Sequence, residues 1–240
     1  MGKILVLEKM MKIVLAYVMA AAFSLLYANG VIGTVNEIEG IVKVSTEGSI
    51  KKTNVTKGQE IKEKDLVSTS KNASVVIKLK DDSTIILDES ATVHFPSQKE
   101  VSQQEGKIYY KITSRDASNA LKVKTPFAII GIKGTTFIVS ADANNSNVKL
   151  QEGLIGVASI KQEFELYRKK VQQEFENFMK KQQSAFEEYK NAQQPGFAQI
   201  TKEFDLKAGN TVSFDGNKVH ENAWTEADEA EFKRFEAMMR

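Results

Sequence analysis

Cysteine is absent from the 240 residues of this chain. That excludes disulfides, thiolate catalysis, cysteine-bound zinc and lipid attachment through an N-terminal cysteine. Histidine is scarce: His94 and His220 stand alone, without the paired spacing of a histidine metal site. An excess of one charge is missing too. With 33 basic and 31 acidic residues the formal charge is +2, which provides no positive field of the kind a nucleic-acid binder uses. Long apolar runs are also lacking. The uncharged stretch Ile13–Ala28 would span about 24 Å as a helix, short of the ~20 residues a bilayer core requires.

What is present begins with "MGKILVLEKMMKIVLAYVMAAAFSLLYANG", a basic start, an uncharged middle and small residues near the end. This is the layout of a secretory signal peptide, expected over residues 1–28. Leu26 and Ala28 would occupy the two recognition positions. Cleavage there removes three lysines and one glutamate, leaving 30 basic and 30 acidic residues and a formally neutral chain. The expected location is periplasmic or secreted. The alternative is an uncleaved segment that anchors the chain in the inner membrane. A hydrophobic content of 42% with 27% charged residues is ordinary for a folded protein and excludes wholesale disorder.

A β domain is expected over residues 29–160. Short β-branched and aliphatic runs alternate with polar residues and are broken by Gly, Asn, Asp and Ser turns. In "SVVIKLKDDSTIILDESATVHF", Val75, Ile77 and Leu79 share a face, "KDDS" turns the chain, and Ile85 and Leu87 rebuild an apolar face. Ile108, Tyr110 and Ile112 repeat the device. The fold class expected is mainly β, a short-strand sandwich, barrel or solenoid.

At Lys161 the pattern changes. "QEFELYRKKVQ", "QEFENFMKKQQ" and "SAFEEYKNAQQ" are three copies of an 11-residue unit. Phe164, Tyr167, Val171, Phe175, Phe178, Phe186 and Tyr189, with Gln182 at the equivalent place in the second copy, recur at a 3-4-4 spacing, which averages 3.67 residues and runs nearly parallel to a helix axis. Glu165–Lys169 and Glu176–Lys180 are i,i+4 pairs in the favourable order. The spacing predicts a long inserted helix over 161–194, whose stripe either docks on the β domain or joins a second copy. Residues 195–222 read as a returning β segment. Residues 223–240 read as a C-terminal helix with Thr225 as N-cap and Asp228 three residues on. Trp224, just before that helix, reads as a packing anchor or a binding aromatic.

"TPFAIIGIKGTTF" (125–137) crowds glycines, a lysine and threonines into an apolar run. It fails as a phosphate loop, because Lys133 precedes Gly134 and a strand follows where a P-loop requires a helix. Backbone geometry is the remaining reading: Gly131 and Gly134 permit a tight corner or close strand approach, and Pro126 suits a strand start. Asp81-Asp82 and Asp88-Glu89 sit at turns, where Asp serves local hydrogen bonds. No residue constellation points to catalysis, and no cofactor or metal is expected.

"VKTPFAIIGIKGTTFIV" followed by "NVKLQEGLIGV" resembles the core signature of FecR-type domains, and "GIVKVS", "KGQEIKEKDLVSTSKNASVVIKLKDDSTIIL" and "EGKIYYKI" follow the family's order upstream. The resemblance covers roughly residues 33–157. It places Thr125, Pro126, Gly131, Lys133, Gly134, Thr135, Phe137 and Gly153 at signature positions, with Lys133 where the family usually has arginine. It implies an exported, non-enzymatic β module. Classical members are inner-membrane regulators whose periplasmic domain receives a signal from an outer-membrane transporter. The cytoplasmic anti-sigma region of those members is not expected here. The function expected is a sensory or binding module whose partner is another envelope protein. The alternative is a structural protein that self-associates through the 11-residue repeat. No nucleic acid is expected, and a membrane only if the N-terminal segment is uncleaved.

Overall fold

The computed structural model describes residues 30–113, 120–132, 134–142, 145–168 and 198–239. The expected signal peptide lies outside the described residues, as do Lys133 and the repeat positions Val171, Phe175, Phe178, Phe186 and Tyr189. Among the described residues, no helix is long and apolar enough to cross a membrane.

Nineteen strands and one helix are described. The strands begin with β1 (Val31–Glu39), β2 (Val42–Thr46), β3 (Thr53–Asn54), β4 (Glu60–Lys62), β5 (Asp65–Thr69) and β6 (Ser74–Leu79). Next come β7 (Thr84–Leu87), β8 (Thr92–Ser97), β9 (Glu100–Ile112), β10 (Leu121–Lys124), β11 (Ala128–Ile132), β12 (Thr135–Asp142) and β13 (Asn145–Glu152). The chain then forms β14 (Leu154–Ser159), β15 (Phe164–Tyr167), β16 (Gln199–Thr201), β17 (Glu203–Lys207), β18 (Asn210–Asp215), β19 (Lys218–Ala223) and α1 (Glu226–Ala237).

The strands form two layers. In the first, the spatial order is β4-β1-β6-β7-β9-β12-β13-β18-β19-β15-β16. In the second it is β3-β2-β5-β8-β9-β10-β11-β14-β17. Strand β9 belongs to both: Glu100–Glu105 pairs in the second sheet and Gly106–Ile112 in the first. The alternation read from sequence supplies the interior. Val75, Ile77, Ile85, Leu87, Ile108 and Tyr110 of the first sheet share one buried cluster with Val67, Val93, Val123, Ile130 and Val157 of the second. The fold is therefore mainly β, a two-layer packing of short strands.

The sheet change within β9 has a local cause. Val101 and Gln103 point inward, then Gln104 and Glu105 are both exposed, and burial resumes at Gly106 and Ile108. One extra residue thus shifts the alternation, as a β-bulge does. Gly106 has φ +80°, and a Cβ there would lie 2.4 Å from the Ala91 Cα. Both conformation and space demand glycine.

The helix expected from Lys161 does not start there. Phe164–Tyr167 is strand β15, antiparallel to β16 and parallel to β19. The physical reason is a competing period. Phe164 and Leu166, two residues apart, are both buried in the sandwich core, while Glu165 and Tyr167 face outward. Those two buried side chains and two strand pairings outweigh the helical spacing of Phe164 and Tyr167. The rest of the expected helix, residues 169–194, lies outside the described residues.

The C-terminal helix forms as α1. Thr225 Oγ1 and the Thr225 N–H both meet the Asp228 carboxylate, at 2.6 and 2.8 Å, and the Asp228 N–H returns to Thr225 Oγ1 at 3.3 Å. This capping box satisfies N-terminal donors that would otherwise be orphaned.

Candidate functional site

The signature residues lie along β11 of the second sheet and around the corner where it passes to β12 of the first. Thr125 builds the turn that enters β11. Its hydroxyl accepts from the Ala128 N–H at 2.9 Å and the Phe127 N–H at 3.3 Å, and its own N–H donates to the Ala128 carbonyl at 2.9 Å. Pro126 occupies the tip, where no ladder hydrogen bond is needed. At the other end of β11, Gly134 has φ +64°. Gly153, on the β13–β14 hairpin, has φ +91°, and a Cβ there would lie 2.6 Å from both the Gly134 carbonyl oxygen and the Thr135 methyl. Gly134, Thr135 and Gly153 therefore pack as one knot. Lys133 lies outside the described residues.

Beyond the corner, Thr135 and Phe137 are buried. Phe137 stacks on Tyr110 with centroids 4.8 Å apart. The Tyr110 hydroxyl donates to Gln103 Oε1 at 2.9 Å, and Gln103 Nε2 donates to the carbonyls of Gly106 and Val139 at 2.8 and 3.1 Å. Gln103 thus ties the β9 bulge to β12 from inside the core. Burial pushes the Tyr110 hydroxyl well above the usual tyrosine range, so it stays a neutral donor. Sequence reading missed Gln103. A glutamine preceding "QEG" in a strand carries no signal until the strand turns it inward.

Gly131 has a different setting. It faces outward on β11, opposite Gly156 of β14 and Lys122 of β10. No corner requires it.

Of the repeat stripe, two residues are described. Phe164 packs edge-on against Phe204 and Phe214. Tyr167 stacks on His220 at 4.7 Å. Near Phe164 an open cleft of about 260 Å³ is lined by Phe127, Phe214, Ile160, Lys161 and Asn217, among others. The other histidine, His94, lies on β8 with Nε2 unpartnered. The paired acids serve turns and ion pairs. Asp81 accepts from the Ser83 hydroxyl at 2.9 Å, and Asp88 meets Arg234.

The two sheets differ in how their outer faces are covered. Over the first, α1 lays Phe232 and Phe235 on Val76, Ile86, Tyr109 and Ile138, with Trp224, Met238 and Met239 at the margin. Trp224 packs on Phe232 with centroids 5.3 Å apart. Charges close the rim: Lys149 Nζ lies 2.7 Å from Asp228 and 2.8 Å from Glu231, and Lys107 also reaches Glu231. Arg234 grips Asp88 with both nitrogens, at 3.0 and 2.5 Å. Burial pushes the Asp228 and Glu231 carboxyls up, but Lys149, with Thr225 or Lys107, brings both below their ordinary values. Burial likewise opposes ionisation of Asp88, and the Arg234 guanidinium overrides it. Over the second sheet no described helix lies.

Residues 65–156 match the family model described as FecR protein. No curated protein matches. Two solved structures of a proposed anti-sigma factor from Parabacteroides distasonis ATCC 8503, at 2.50 and 1.65 Å, are similar at 11% identity and a TM-score of 0.47. The similarity covers 70% of this chain and 63% and 64% of those chains. The matched stretch begins at β5 and ends inside β14. It contains all eight signature positions, and the strands outside it complete the same two sheets. Residues 65–156 of this chain are a FecR domain.

Proposed function

We propose that this chain is an exported sensory or binding module that recognises another protein of the bacterial envelope and performs no chemistry of its own. One observation carries this reading: the side chains of the described signature residues are spent on backbone geometry. The Thr125 hydroxyl closes a turn, Thr135 and Phe137 are buried, and Gly134 and Gly153 form a corner. A domain whose signature goes into its own scaffold acts through the surfaces it presents. The FecR match over residues 65–156 supports the same reading.

The test is cross-linking in intact envelopes, with a photoreactive residue in place of exposed Leu154 or Ile200 of the full chain. A heteromeric adduct of fixed mass, lost after fractionation into cytoplasm, supports a recognition module. An adduct at twice the chain's mass replaces this reading with self-assembly. Recovery of the uncross-linked chain in the cytoplasm overturns the exported location.

A further inference from the structure

The outer face of the second sheet carries an ordered pattern. One row across β10, β11, β14 and β17 reads Lys122–Gly131–Gly156–Asp205, and the next reads Lys124–Ile129–Ala158–Glu203. Leu154, 49% exposed, continues the middle column beside Lys207. Lys122 and Lys124 on one side and Asp205 and Glu203 on the other therefore flank a floor made of two glycines and three apolar residues, with Lys207 at the end of the acidic side. Among the described residues, the side chains of Lys122, Lys124, Glu203 and Asp205 make no ion pair.

The two glycines have no internal explanation. Neither has a positive φ. A Cβ at Gly131 would meet only the Gly156 carbonyl oxygen at 3.9 Å, and one at Gly156 only Asp205 Oδ1 at 3.9 Å, both ordinary contacts. A β-branched residue would suit either strand position better. What glycine provides here is a flat floor open from outside.

The first sheet shows what fits such a pattern. There an apolar patch flanked by lysines and an aspartate is covered by α1, whose Asp228 and Glu231 meet Lys149 and Lys107 while Arg234 meets Asp88. The second sheet also sets charges beside an apolar strip, in a different order and without a described cover. Its charged columns are three strand spacings apart, about 14 Å. A helix with side chains is about 10–12 Å across and fits between them.

We propose that this face is the docking site for an amphipathic helix of a partner protein, seated over Gly131 and Gly156, with an acidic edge toward Lys122 and Lys124 and a basic edge toward Glu203 and Asp205. The proposal rests on the reading of the chain as a protein-recognition module and names the surface that does it. Opposite charges at the two edges set register and exclude helices with like charge on both. The apolar floor supplies burial.

The probe is a fluorescent stapled helix of about 15 residues, long enough once stapled to stay helical. It carries a Leu/Phe stripe with glutamates on one flank and lysines on the other. Companion peptides carry glutamine, or lysine, on both flanks. Against the full chain, the mixed-flank peptide is expected to bind roughly tenfold tighter than the glutamine peptide. Lys122→Glu with Lys124→Glu should reverse the preference toward the all-lysine peptide. Gly156→Val, which strand geometry accepts, should block binding while leaving the melting temperature unchanged. Flank-independent binding, no peptide binding, or full binding to the Gly156→Val variant overturns the proposal. A dimer in sedimentation that Gly156→Val dissolves overturns it in favour of a second copy. If the glycine variant does not fold, the lysine reversal decides alone. Failure here with a heteromeric adduct in envelopes removes this surface and leaves the recognition module standing.

Discussion

Truncating Phe232 to alanine should release α1 without unfolding the sandwich. The apolar layer beneath α1 is separate from the main core and consists of Val76, Ile86, Tyr109, Ile138, Phe232 and Phe235. Phe232 and Phe235 are both fully buried, and burying a phenylalanine contributes about 1.5–3 kcal/mol. The two together supply about 3–6 kcal/mol, opposed by the entropy of ordering a twelve-residue helix. A Phe→Ala change at such a site costs about 3–5 kcal/mol once the cavity is counted. The loss is therefore as large as the apolar contribution to docking. Trp224 is the sole tryptophan and packs on Phe232, so its emission reports α1 alone. In Phe232→Ala the emission should be red-shifted without denaturant, while the urea midpoint of the far-UV β signal stays close to wild type. Native emission in water, followed by one coincident transition of both signals, would refute the reasoning. It would mean that α1 is part of a single cooperative unit with the sandwich.

Acid should loosen the same helix. The folded-state pKa values of Asp88, Asp228 and Glu231 are all lowered, so their stabilisation is full above the unfolded values near pH ~4 and is lost as pH falls through the depressed folded values. Trp224 emission should shift below about pH 4 before the β signal changes, and simultaneous loss would count against a separate clamp. Lys149 and Arg234 are raised, so their contribution holds at neutral pH and fades only in strong alkali. Among glycines, Gly153→Ala should cost about 2 kcal/mol or more, because it adds a clash to a left-handed φ. Gly156→Ala should stay within about 0.5 kcal/mol; equal melting temperatures for the two variants would contradict the corner geometry. Gln103→Leu should cost about 2–3 kcal/mol by orphaning the Tyr110 hydroxyl and the carbonyls of Gly106 and Val139. Thermal denaturation checks it, and an unchanged midpoint would show that the network is dispensable.

The features legible in sequence were those with one dominant local cause. Val75, Ile77, Ile85 and Leu87 alternate because one face of each strand is buried, and that period survives any topology. Thr225 and Asp228 form a capping box because the donors of a helix start need partners whatever the helix packs on. Gly134 has the positive φ of a turn glycine, whereas Gly131, read in the same way from the sequence, has none. The α1 clamp was not readable. Lys107, Lys149 and Asp88 come from three places in the chain, and nothing local announces that they meet Glu231, Asp228 and Arg234. Tyr109 shows the same limit. Adjacent to Tyr110, it breaks the alternation, and it is buried only because a helix more than a hundred residues later covers its face.

The stretch "EFELY" shows why period alone misleads where two periods coincide. Phe164 and Tyr167 are spaced for a helix, Phe164 and Leu166 for a strand, and the following residues extend only the helical series. Summed over a window of three repeats, the helical pattern has many more matches. Those matches count propensity, at tenths of a kcal/mol per residue, whereas burying Phe164 and Leu166 contributes about 1.5–3 kcal/mol each. The strand also gains partners on both sides, β16 and β19. Two core side chains therefore outweigh a long but weak periodicity at its first copy. Within the described part of this stretch, Leu166 is the last residue in the core cluster, and Tyr167 lies against His220 on the outer side. Where the alternate residues of a stretch find a core and its backbone finds partner strands, helical spacing in that stretch does not decide its conformation.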